Sequence, residues 1–275
     1  MRILYCGDVV GRSGREAVTA TLKQLRELHR LDVVVVNGEN AAGGFGLTAA
    51  ICDDFFSAGA DLITTGNHAF DQREIIGHIN KESRLIRPLN MAQGTPGRGV
   101  GEVRLPDGRR FLTIQLMGRL FMGLYDDPFR ALEAELAKYM LGQSVQAILV
   151  DIHAEATSEK LAIGHTADGR VSLVAGTHTH VPTADAQILT GGTAYITDVG
   201  MTGDYDSIIG MEKESSMKRF RSDVPGPRMT PALGEATLCA VIVETDDKTG
   251  LARSIKQLKL HGRLGSPHHR EEMAT

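Results

Sequence analysis

Along this chain, short apolar runs alternate with stretches of helical periodicity, and run after run stops at a polar cluster. Arg2 to Cys6 is an apolar run that ends at Gly7-Asp8. Ser13, with Glu16 three residues on, predicts a capping box for a helix whose apolar face is Val18, Leu22, Leu25 and Leu28. Val33 to Val36 are four consecutive β-branched residues, the pattern of a strand covered on both faces, and Asn37-Gly38-Glu39-Asn40 follows them. A glycine-rich loop (Gly43, Gly44, Gly46) leads to Thr48, the predicted N-cap of a helix through Phe56. Leu62 to Thr65 predicts a third strand, ending at Gly66-Asn67-His68.

The middle of the chain changes character. Val100 to Leu105 and Arg109 to Leu116 flank Asp107-Gly108 as a predicted antiparallel hairpin, and Asp127-Pro128 opens a helix with Phe129, Leu132 and Leu136 on one face. Ala147 to Ile152 is another apolar run, ending at His153, and Val171 to Ala175 ends in Gly176-Thr177-His178-Thr179-His180. Two further hairpins are predicted, Ile188 to Thr190 with Ala194 to Thr197, and Ala236 to Glu244 with Leu251 to Leu258. Hairpins mixed with βαβ units imply α/β architecture with mixed sheets covered by helices. Residues 1–260 read as a single domain, with a lid-like excursion at 201–231 of little periodicity and a polar, frayed tail at 261–275.

Composition narrows the function classes. A formal net charge of -4 over 275 residues provides no global basic field, so polymeric nucleic acid is not the favoured partner. No apolar run approaches the roughly 20 residues that span a bilayer, which excludes a membrane partner, and no export signal is visible at the N-terminus. Cys6, Cys52 and Cys239 are odd in number and far apart, which fits neither a disulfide framework nor a thiolate zinc site and suits the cytoplasm. Self-association into a homo-oligomer is left open.

The strand ends carry Asp8, then Glu39 with Asn40, Asn67 with His68, His153, and His178 with His180. In α/β sheets ligands bind at the carboxyl ends of strands, so these residues are expected to converge in one crevice. Carboxylates, imidazoles and amides without a thiolate suit Mn, Fe, Co or Zn. There are more ligands than one four-coordinate ion needs, and Glu39 is the expected bridge between two divalent ions. For His178 and His180, alternation on an extended segment puts both side chains on one face.

The ordered blocks GD, GEN, GNH, a lone strand-end histidine and GTHTH resemble the calcineurin-like metallophosphoesterases. The first block lacks the histidine of the broader family, and Glu39 stands where that family has aspartate. Both departures match the YmdB-like branch, as do the stretches LTAAICDDFFSAGADLITTGNHAFD and DYDSIIGMEKE. The resemblance implies a four-layer α/β/β/α sandwich. It also implies two divalent ions, Fe, Mn or Zn. Asp8, Glu39, Asn40 and His180 would hold one, and Glu39, Asn67, His153 and His178 the other. The implied activity is a phosphodiesterase acting on small diesters such as 2′,3′-cyclic or 3′,5′-cyclic AMP, by attack of a hydroxide bridging the ions. His68 would be the general acid, with Asp71 the nearest carboxylate to orient it. Two other readings compete. One is a metal-binding regulatory protein with incidental phosphoesterase activity. The other is a dinucleotide-binding loop, because Gly7, Gly11 and Gly14 imitate a Rossmann fingerprint with GxxxGxxG spacing.

Overall fold

A computed structural model describes residues 1–224, 226 and 228–266. Its elements run β1 (Arg2–Cys6), α1 (Gly11–His29), β2 (Val33–Asn37), α2 (Ala49–Ala58), β3 (Leu62–Thr64), α3 (Ile75–Ile79), β4 (Val100–Arg104), β5 (Arg110–Met117) and α4 (Pro128–Leu136). They continue with β6 (Ala147–His153), α5 (Thr157–Ala167), β7 (Leu173–Thr177), β8 (Gln187–Ile188), β9 (Ala194–Ile196), β10 (Gly203–Asp204), α6 (Lys213–Arg221), β11 (Ala236–Thr245) and β12 (Ala252–Leu260). One sheet has the order β10-β11-β1-β2-β3, with β12 on β11, and the other the order β4-β5-β6-β7-β9-β8. Both are mixed: β1-β2-β3 and β5-β6-β7-β9 are parallel, and β11 joins β1 antiparallel.

The two-residue period of a strand assigns each side chain to a layer. Val33 and Val35 point into the core between the sheets with Ile3, Tyr5, Leu62, Leu149 and Leu173. Val34 and Val36 point the other way, against Leu22 and Leu25 of α1 and Phe55 of α2. On the second sheet Ile114, Val150 and Val174 pack beneath Leu132 of α4 and Ile163 of α5. The result is the expected four-layer α/β/β/α sandwich, and the unbroken valine run is explained by burial on both faces.

Toward the carboxyl ends of the strands the inner face turns polar while keeping its period. Thr64 follows Leu62, Thr113 and Gln115 follow Phe111, Asp151 follows Leu149, and Thr177 follows Ala175, all fully buried. This polar end of the inter-sheet layer is the floor on which the strand-end residues stand.

Several local expectations change. The first helix starts at Gly11 with Val10 as its cap, and no side chain caps it, so Ser13 and Glu16 form no capping box. Glu16 instead pairs with Arg12, and Ser13 Oγ donates to the Ala232 carbonyl. Thr48 and Asp127 cap α2 and α4 as expected. The excursion at 201–231 holds a nine-residue helix, α6, which its charged and serine-rich sequence conceals. Of the predicted tail, residues 261–266 carry hydrogen bonds to the sheet: Leu264 N donates to Thr237 Oγ1 and Ser266 N to the Lys259 carbonyl. Residues 267–275 lie outside the described residues. No helix among the described residues is long and apolar enough to cross a membrane.

Because Thr48 accepts a hydrogen bond from Ile51 N and Ser13 caps nothing, Thr48→Ala is expected to lower stability by about 1 kcal/mol and Ser13→Ala by less. Denaturant midpoints of the two variants measure this, and equal losses would restore Ser13 as a cap.

Candidate metal centre

The five strand-end loops meet above the polar floor. The loop after β1 brings Asp8, whose Oδ2 accepts from the His178 backbone N at 3.0 Å. Glu39, after β2, accepts from the His68 backbone N at 3.0 Å through Oε1, and its Oε2 lies 2.6 Å from His153 Nε2. Asn67, after β3, places Oδ1 3.1 Å from the same His153 nitrogen, and His178 Nδ1 is also 3.1 Å from it. Asn40 Oδ1 faces His180 Nε2 at 3.3 Å. All seven expected ligand residues, with His68, therefore occupy one crevice.

The hydrogen-bond network fixes which atoms face inward. Thr177 Oγ1 donates its one proton to Asp151 Oδ1 (2.8 Å), so it can only accept from His153 Nδ1–H (2.9 Å), and the Nε2 lone pair of His153 is left toward the crevice. His180 Nδ1 must donate to the Ile209 carbonyl (2.7 Å), which leaves its Nε2 lone pair opposite Asn40 Oδ1. Asn40 Nδ2 is already engaged with the Gly44 carbonyl, so its oxygen, not its amide N–H, points in. His178 Nε2 lies 3.3 Å from Glu155 Oε2, which directs its Nδ1 lone pair at His153. Acceptors thus face acceptors. Asp8 Oδ1 and Glu39 Oε2 are buried with no hydrogen-bond partner among the described residues.

With both carboxylates ionised, such an arrangement is repulsive unless positive charge stands among the lone pairs. One ligand atom each from Asp8, Glu39 and His153 falls within 4.8 Å of the others, close enough to share an ion. Burial pushes the carboxyls of Asp8 and Glu39 up to about 7 and pulls the His153 imidazole down to about 3. Each shift keeps a group in its uncharged form, and a bound cation would reverse the carboxylate shifts. The residues fit a divalent metal centre.

Support comes from residues that sequence reasoning passed over. Gln115 Nε2 donates to Asp151 Oδ2 and to the Thr65 carbonyl, tying the floor to the end of β3. Asp198, fully buried, accepts from Lys160 Nζ at 2.7 Å and from Thr179 and Gly200, which pins the 178–180 loop. A lysine on a helix and an aspartate after a strand were the available signals, but only the fold joins them. His178 and His180 sit at φ 95° and 64°, so they do not alternate along an extended segment as expected. Left-handed turns at both aim them at different partners, His153 and Asn40.

The glycines of the loops serve close packing. A Cβ at Gly66 would overlap the Glu39 carboxylate, and Cβ atoms at Gly7 and Gly14 would overlap the carbonyls of Gly200 and Thr202. The first loop is stitched to that same segment, with Val10 N donating to Thr202 O and Thr202 N to Asp8 O. The GxxxGxxG spacing is thus accounted for by strand-end packing, without a dinucleotide. His68 Nδ1 lies 2.8 Å from Asp71 Oδ2, so Asp71 does orient the imidazole. Cys6 is a buried thiol pushed up to about 12 by burial, which makes it no nucleophile.

Two sheets back to back, with a lone-pair cluster at their strand ends, place the chain in the metallophosphoesterase class of α/β/β/α proteins. Residues 4–258 match the model of the YmdB-like protein family, and the chain belongs to that family. It is 46% identical over 261 residues to the 2′,3′-cyclic-nucleotide 2′-phosphodiesterase of Bacillus subtilis (strain 168), covering 95% of this chain and 97% of that protein. Among solved structures it resembles a hypothetical protein from Thermus thermophilus, with TM-score 0.88 and 43% identity, covering 96% of this chain and all (100%) of that one. It also resembles a novel phosphatase from Mycoplasma pneumoniae, with TM-score 0.88 and 32% identity, covering 98% and 96% of the two chains.

Lys160→Met would leave the Asp198 carboxylate buried without its cation, and is expected to destabilise the chain by about 3–5 kcal/mol. Urea midpoints read the effect, and a loss below about 1 kcal/mol would mean that the Thr179 and Gly200 donors suffice.

Proposed function

We propose that this chain is a metal-dependent phosphodiesterase with two divalent ions, which hydrolyses small diesters and in particular nucleoside 2′,3′-cyclic phosphates. The observation that carries this reading is the inward convergence of Asn67 Oδ1, His153 Nε2, His178 Nδ1 and Glu39 Oε2, next to a second pair, Asn40 Oδ1 and His180 Nε2. The name of the Bacillus relative supports the choice of substrate.

In this reading Asp8, Glu39, Asn40 and His180 hold one ion and Glu39, Asn67, His153 and His178 the other. The donor set, nitrogen and oxygen without sulfur, suits Mn, Fe or Zn. Bound divalent ions supply Lewis acidity, which lowers the pKa of water and offsets the charge growing on the phosphoryl oxygens.

The chain's own residues do the rest. Thr177 and the Ile209 carbonyl hold His153 and His180 in the tautomers that leave Nε2 unprotonated. Opening the 2′ ester breaks the P–O2′ bond and leaves a ribose alkoxide, a poor leaving group that needs a proton. His68 lines the cavity beside Glu39 and His178 and is the group placed to deliver it. Asp71 Oδ2, 2.8 Å from Nδ1, holds the imidazole in its orientation. The products are the 3′-phosphate and a free 2′-hydroxyl. We read 3′,5′-cyclic AMP as a second substrate of the same chemistry.

The test is product analysis after incubation of the Mn-loaded chain with 2′,3′-cyclic AMP. Adenosine 3′-monophosphate is expected; recovery of the cyclic nucleotide unchanged, or of the 2′-isomer alone, contradicts the reading. His68→Ala should lower turnover of this substrate by roughly 10²–10⁴-fold, with a far smaller loss on bis(p-nitrophenyl) phosphate, whose leaving group needs no acid. Equal losses on the two substrates would remove His68 as the acid.

Metal affinity should follow the carboxylates. Below about 7 Asp8 and Glu39 carry protons that a cation must displace, so affinity for Mn²⁺ falls as the pH drops and is flat above that value. The slope is on the order of tenfold per pH unit for each proton displaced. Titrations with an indicator dye at several pH values measure this, and a pH-independent affinity would contradict it.

A further inference from the structure

The crevice has a second half that the hydrolytic reading does not use. A cavity of about 180 Å³ is lined by the polar Glu39, Asn40, His68, His178 and His180 and by the apolar Phe45, Ile208, Ile209, Met211 and Met229. We propose that the apolar lining is a base subsite, which stacks the heterocycle of a mononucleotide on Phe45 against a wall of Ile209 and Met229. The proposal rests on the phosphodiesterase reading and deepens it: the polar lining suits a phosphate, the apolar lining a flat ring.

The wall is built for a ligand and not for the core. Ile209 is 54% exposed, yet it is held at φ 45°, a left-handed conformation that a β-branched residue adopts only under constraint. The constraint is visible. Its carbonyl is turned inward to accept from His180 Nδ1 at 2.7 Å, and the turn is closed by paired bonds between Ile208 and Met211 and by Gly210 N donating to Ser207 Oγ. The same turn therefore seats an imidazole of the metal centre with its backbone and offers an apolar side chain to the cavity. Met229 is carried beside it because Met211 bridges Pro231 and Glu212 N donates to the Thr230 carbonyl.

Phe45, from the glycine-rich loop, lines the same cavity, and its ring packs against His68 in a T-shaped contact, with centroids 5.1 Å apart at 76°. The exposed Arg228 holds its guanidinium 5.9 Å from the Phe45 centroid, within cation–π range, and a guanidinium plane also stacks on bases. Stacking tolerates every base, so the subsite selects for a heterocycle and discriminates little between adenine and cytosine.

Calorimetric titration of the Mn-loaded chain with adenosine 3′-monophosphate and with ribose 3-phosphate separates the two halves. The nucleotide is expected to bind about tenfold or more tightly than the sugar phosphate. Phe45→Ala and Met229→Ala should bring that ratio close to one by weakening the nucleotide alone, whereas Phe45→Tyr, which keeps the ring face, should retain it. Equal affinities in the unmodified chain, or parallel loss of both ligands in Phe45→Ala with the ratio kept, overturn the proposal. The two readings fail separately. A chain that prefers the nucleotide but leaves 2′,3′-cyclic AMP intact keeps the subsite and loses the reaction. A chain that hydrolyses it while binding both ligands equally keeps the reaction and loses the subsite.

Discussion

The structure turns on a repulsion. In the crevice, His153 Nε2, His178 Nδ1, Asn67 Oδ1 and Glu39 Oε2 crowd together; the ring protons of His153 and His178 are turned to Thr177 and Glu155, and the carboxylate has none once ionised. A buried acceptor without a partner costs about 1–3 kcal/mol, and two carboxylate oxygens here have none. A fold tolerates this only where its rigid parts prevent the groups from turning away. Here the parallel strands fix where each loop begins, Thr177 and Ile209 fix the imidazole tautomers, and Gly66 leaves no side chain between Glu39 and His153.

The same constraint explains the polar end of the inter-sheet layer. Lower in the sandwich that layer is Ile3, Val35, Leu149 and Leu173; two or four residues further along the strands it becomes Tyr5, Thr64, Gln115, Asp151 and Thr177. These are linked to one another, Tyr5 to Thr64 and Gln115 to Asp151 to Thr177, so they are satisfied in place. They form the stage that converts apolar packing into fixed directions for the ligand atoms above.

Much of this was legible in the chain. The four valines at 33–36 announced a strand buried on both faces, and Asp8, Glu39, Asn67, His153 and His178 each closed an apolar run, which in an α/β sheet is enough to gather them. What escaped were residues whose role depends on a neighbour distant in sequence. Lys160 reads as a helical surface lysine until Asp198 is folded beneath it, and Asp151 reads as an irregularity in a strand until Thr177 pairs with His153. Ser13 and Glu16 match a cap by spacing, but backbone contacts between 8–10 and 202 start the helix three residues earlier. His178 and His180 were assigned a shared face by strand alternation, yet β7 ends at Thr177 and left-handed turns follow. Helix α6 was hidden by a sequence with no apolar face to bury.

The excursion joins the candidate site through its backbone: the Ile209 carbonyl accepts from His180 Nδ1, so the turn at 208–211 and the strand-end cluster are one construction. The central claim, a centre for two ions bridged by Glu39, is tested most directly by elemental analysis of metal per chain in the unmodified protein and in Asn67→Ala after reloading with Mn. The account predicts two ions in the first and one in the second. A single ion in the unmodified protein, or two retained in Asn67→Ala, would contradict it.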